Sequence, residues 1–137
     1  MRLLMSIASV LVLGVATNGC SDSIGPESIV GLWAQDNMVP GSGFEMSLAL
    51  DGSAISGPGT WCGEALGCGS TSTTGVATGN KIHLITTFDD GRVEMFDGTL
   101  ISSNSLVGSM SSPSPIQIDP PHPQSFHRAP NDPPRTQ

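Results

Sequence analysis

The 137-residue sequence predicts an all-β fold. We expect a small up-and-down antiparallel meander of about seven or eight strands, closing into a barrel or half-barrel. Three observations carry this expectation. Short runs alternate apolar and polar residues at period two, as half-buried strands do. The turn dipeptides Asp51-Gly52, Gly79-Asn80, Asp90-Gly91 and Ser103-Asn104 separate those runs. Beyond residue 20, no segment sustains a helical period.

The first segment is of a different kind. Arg2 precedes an apolar run from Leu3 to Ala16, interrupted only by Ser6, Ser9 and Gly14. A positive start, a short apolar core and then small residues describe a secretory signal. The run of about fourteen residues is short of the roughly twenty that a membrane-spanning helix needs. Gly19 stands directly before Cys20. This arrangement resembles the lipobox of bacterial lipoproteins, with Thr17 and Asn18 where that family carries Leu and then Ala or Ser. The resemblance implies a signal peptide over 1–19 and lipid on Cys20, whose several acyl chains would hold the protein stably on a membrane. Because Ser21 rather than Asp follows the cysteine, it also implies the outer membrane, facing the periplasm. The alternative is an ordinary secretory signal that leaves Cys20 as an odd thiol. Residues 20–28 read as a polar tether.

The meander occupies residues 29–111. A first strand is expected from Ile29. Phe44, Met46, Leu48 and Leu50 then share one face, with Glu45, Ser47 and Asp51 on the other. Asp51-Gly52 turns this run into Ala54–Trp61, since such a pair between alternating runs is a strong hairpin signal. Gly69–Thr78, rich in Thr, is compatible with a strand. Lys81–Phe88, Arg92–Ile101 and Leu106–Met110 complete the series. An apolar-x-Gly-x-apolar pattern recurs at Ile29–Trp33, Phe96–Leu100 and Leu106–Met110, with a longer version at Ile55–Trp61. It places glycine in the buried row between large residues, where a sharply bent strand needs it.

From Ser111 onward eight of 27 residues are proline. Residues 112–137 therefore read as an extended tail. Its proline-free piece, residues 124–129, could add a last strand.

Composition excludes several functions. The net charge of -7 argues against nucleic acid and against a basic membrane-docking face. Cys62 and Cys68 flank five residues, Gly63–Gly67. In an exported chain they read as a disulfide clamping a hairpin tip, which contributes about 2 kcal/mol by loop closure. A zinc pair would want further ligands, and redox motifs are spaced more tightly. His83 is expected on the solvent face of a strand, whereas His122 and His127 fall in the tail with nothing to organise a metal site. Asp89, Asp90, Glu94 and Asp97 lack calcium-loop spacing and read as a solvated turn. No G-x-S-x-G elbow, Walker loop or H-E-x-x-H is present. The expectation is no enzyme, no cofactor and no metal.

Gly31-x-Trp33 on the first strand, with Arg128 after a last one, resembles the calycin group of small barrels, the lipocalins and avidins. That resemblance implies Trp33 plugging one barrel end with Arg128 packed across it. Other signatures of the group are missing, so no ligand follows from it. Two function classes remain. In one, the barrel is packed solid and acts through its acidic surface as an interaction module for a basic protein, presenting the Cys62–Cys68 loop and the Asp89–Arg92 turn. In the other, Phe44, Met46, Leu84, Phe88, Phe96 and Leu100 line a cavity for a small apolar ligand.

Overall fold

The computed structural model describes residues 24–39, 41–113 and 120–130. Cys20, the signal segment and the tether up to residue 23 lie outside the described residues. Among the described residues, a 3-10 turn, Pro26–Ile29, leads into eight strands: β1 (Gly31–Gln35), β2 (Gly43–Asp51), β3 (Ala54–Gly63), β4 (Gly67–Thr78), β5 (Lys81–Phe88), β6 (Val93–Ser102), β7 (Ser105–Ser111) and β8 (His122–Arg128). Each pairs antiparallel with the next, and β8 returns to β1 to close the barrel. The all-β up-and-down reading holds, and closure is complete.

Most strand ends fall within two residues of expectation, and two differences have a physical cause. Ile29 ends the 3-10 turn instead of starting a strand. Proline at the first turn favours that conformation, and the Trp33 indole holds it by donating to the Ile29 carbonyl at 2.7 Å. The last strand starts at His122, within the proline-rich stretch, and includes Pro123. Pro123 pairs with Ser109 on β7, whereas β1 meets β8 only at Phe126–Arg128. Pro123 therefore lies at the start of a strand whose other side is unpaired there, a place where proline costs no ladder bond.

The strand period sends one row inward. Trp33, Phe44, Met46, Leu48, Ile55, Ile82, Leu84, Phe96, Leu100, Leu106, Met110 and Phe126 form one continuous core with Ile29 and Ala77. Eight strands leave an interior that side chains just fill. Phe126 from the closing strand packs edge-on against Phe96, ring centroids 5.3 Å apart, and against Phe44 at 5.9 Å. Burial of such rings is the main stabilising term here. Thr71, Thr73 and Thr86 are also buried inside the wall. Thr73 and Thr86 satisfy each other, with hydroxyl oxygens 3.0 Å apart.

Inner-row glycines mark where the wall bends. A methyl group at Gly57 would strike the Ser47 carbonyl, and one at Gly108 the Asp97 carbonyl, each belonging to the neighbouring strand. Backbones approach too closely there for any side chain.

The two barrel ends are unlike. At one, β2–β3, β4–β5 and β6–β7 are joined by the tight turns at Gly52, Gly79 and Asn104. At the other lie the longer β1–β2 and β7–β8 connections, the Cys62–Cys68 tip and the Asp89–Arg92 turn.

Candidate functional site

The tight-turn end is closed. Arg128 places its guanidinium carbon 4.8 Å from the Trp33 ring centroid. Its Nη2 donates to the Ser28 carbonyl at 2.6 Å, Nη1 to Val30 at 2.7 Å, and Nε to Ser103 at 2.9 Å. Gly31 has φ +134°, and a methyl group there would collide with Arg128 Nη1. The Gly31-x-Trp33 spacing thus lets one arginine reach over the indole to bind the 3-10 turn. All of these partners are backbone carbonyls, so this end is built for closure.

The opposite end is open. A recess of about 280 Å³ is lined by Gln35, Met38, Phe44, Trp61, Leu66, Phe88, Arg92, Glu94, Met110 and His122, among others. Phe88 stacks tilted against Phe44 at 5.9 Å and edge-on against Trp61 at 6.0 Å, so three rings form one wall. Arg92 covers this wall, its guanidinium carbon 4.3 Å from the Phe88 centroid and 4.7 Å from that of Trp61. Cation–π attraction favours that placement.

Carboxylates organise the same rim. Asp89 accepts from Trp61 Nε1 at 3.0 Å and from the Ser70 amide at 2.8 Å. Asp90 accepts from Arg92 Nε at 2.7 Å and from its amide at 3.0 Å. Glu94 lies 4.0 Å from Arg92 Nη1. The Ser70 amide bond, then the indole bond, hold the Asp89 carboxyl below the ordinary aspartate range. The bonds from the Arg92 amide and guanidinium do the same for Asp90. Across the barrel, Asp36 is lowered chiefly by a hydrogen bond from Ser125, and also by His127 at 2.5 Å. Groups lowered in this way add stability above their unfolded pKa and lose it as pH falls through the folded one. Thermal melting should therefore drop below about pH 4, where unfolded aspartate begins to protonate. Asp89→Asn should flatten that acid limb.

The sequence-predicted residues are distributed as follows. Cys62 and Cys68 form a disulfide of 2.10 Å across β3–β4, clamping the tip whose Leu66 is 74% exposed. Of the six residues proposed to line a cavity, Phe44 and Phe88 border the recess. Met46, Leu84, Phe96 and Leu100 belong to the core. Asp97 separates from the other turn carboxylates and faces His83 on the outer wall, Nδ1 to Oδ1 2.6 Å. His122 and His127 sit at positions of opposite parity on β8, so the two imidazoles point to opposite faces. Among the described residues, no three metal-ligating side chains converge.

Sequence reading missed the grouping of Trp61, Phe88 and Arg92. Trp61 and Asp89 are 28 residues apart and meet only because β4 and β5 bring both turns to one end. The available signal was weak: an arginine two residues after an aspartate in a turn, directly following a phenylalanine. Comparison with protein families, characterised proteins and solved structures yields no match. The functional reading rests on the site itself.

Proposed function

We propose that this chain is an exported bacterial lipoprotein, held on the periplasmic side of the outer membrane through Cys20. It acts there as a non-enzymatic interaction module, engaging its partner with the open rim of the barrel. The observation that carries this reading is the distribution of space. The interior is occupied by a continuous core. The recess at the mouth, about 280 Å³, is open to solvent, whereas small-molecule sites bury most of their ligand's surface. Exposed Leu66 and Met38 flank that mouth, and apolar side chains gathered beside a polar rim mark contact surfaces. The acidic balance of the chain favours a basic partner.

A carrier of a small apolar ligand is the second reading, favoured by Phe44 and Phe88 reaching the recess. An environment-sensitive apolar dye separates the two. On the rim reading, the dye stays dark with folded protein, and native and denatured masses agree. Bright dye at one-to-one stoichiometry, or a mass that leaves on denaturation, would favour the carrier. A mass showing an unacylated Cys20 would remove the anchor.

A further inference from the structure

We propose that the open rim is a receptor for a cationic side chain, a guanidinium or alkylammonium presented beside an aliphatic residue, and that Arg92 occupies its place in the unbound protein. This deepens the reading that the rim is where the partner binds, and rests on it.

Three independent observations meet at this point. The first is the wall of aromatic faces from Trp61 and Phe88, which already holds a cation: the Arg92 guanidinium lies over both rings. The second is the carboxylate set. Asp90 grips Arg92, and Glu94 lies just beyond it. Asp89 is fixed by the Ser70 amide and holds the indole at its edge, leaving the ring face to the recess. Aromatic faces ringed by carboxylates are the chemistry that accepts guanidinium and methylated ammonium groups. The third is the adjoining apolar lip, Leu66 and Met38, which line the same recess and are exposed.

Charge decides which guest this surface prefers. The tip carries one arginine, paired with Asp90 and Glu94, and a further carboxylate at Asp89, in a chain of net charge -7. An anionic guest would have to approach against that field. A cationic one is drawn in and finds every contact that Arg92 now makes. The tenant can leave. Its backbone is held, since the Arg92 carbonyl accepts from the Phe88 amide at 2.9 Å. Its side chain is 41% exposed, and among the described residues it is held by exposed ion pairs, which contribute little in water, and by the ring contacts that a guest cation would take over. Arg92 thus acts as an internal competitor that a stronger cation replaces.

The test uses the full chain, with the two indole N–H signals in a proton–nitrogen NMR spectrum as reporters. Trp61 reports the rim. Trp33, buried under Arg128 at the other end, is the internal control. The probes are acetylated Leu-Arg amide, its uncharged citrulline counterpart and acetylated Leu-Glu amide. The Leu-Arg probe should shift Trp61 and leave Trp33 in place, and Arg92→Gln should tighten its binding about tenfold by removing the competitor. Arg92→Lys should bind it between the two. The citrulline and glutamate probes should bind much more weakly. If the citrulline probe shifts Trp61 as strongly as the arginine one, the rim binds without charge selection; this inference fails while the rim reading stands. If the glutamate probe binds the parent protein and Arg92→Gln abolishes it, Arg92 is an anion receptor and the proposal is overturned. Shifts confined to Trp33 and core signals would place binding inside the barrel and sink both readings, as would no shift from any probe.

Discussion

Trp33→Ala should cost about 3–5 kcal/mol of folding stability, the range for removing a fully buried tryptophan. For a domain of this size that corresponds to a melting temperature lower by roughly 15–30 °C. The side chain is completely buried, and three structures depend on it. It fills the closed end of the core, it holds the Pro26–Ile29 turn through the indole N–H, and it supports the Arg128 guanidinium. Arg128→Ala should be milder, and the double variant should be less destabilised than the two losses added together, because each residue acts partly through the other. Chemical denaturation of all three variants checks this. Strict additivity would show that the indole and the arginine stabilise the end separately.

Gly57→Ala should be the second most damaging change, at the upper end of about 1–3 kcal/mol for overpacking. The obstacle is backbone: the Ser47 carbonyl lies where the methyl would go, with the Leu48 Cα in tight contact beside it, and neither can rotate away. Gly43→Ala supplies the comparison. Nothing lies within 4 Å of the corresponding position there, so a change within about 0.5 kcal/mol is expected. Equal losses at the two sites would mean that the wall near Gly57 relaxes, and that closure does not depend on so small a residue there.

Those two residues also mark what sequence alone makes legible. Alternation at period two and turn pairs such as Asp51-Gly52 are local signals, so the strands from Phe44 to Met110 and their connections could be read directly. The apolar-x-Gly-x-apolar pattern is local too, and it predicts a bent wall. Pro123 hid the start of the last strand, because its tolerance there depends on one flank of β8 being unpaired at that point, a fact of register between distant segments. The inward threonines of β4 escaped notice for a similar reason. Thr73 is acceptable inside only because Thr86 arrives opposite to share its hydrogen bond. The rim is the extreme case. Trp61, Phe88, Arg92 and the carboxylates gather from two hairpins, with Phe44 from β2 beside them, and nothing within either hairpin announces the other.

An even number of strands has a consequence for how the molecule is held. Both β1 and β8 meet at Trp33–Arg128, so the first described residues and the end of the last strand leave from the same, closed end. Ile24 packs against the core there, and three residues separate it from Cys20, so that the four steps of chain reach about 14 Å at most. With Cys20 as the proposed anchor, the protein stands on its sealed base and turns its mouth away from the bilayer. A fusion after the last strand would then load the base and leave the mouth clear, whereas an insertion between Gly63 and Gly67 would stand directly in front of it.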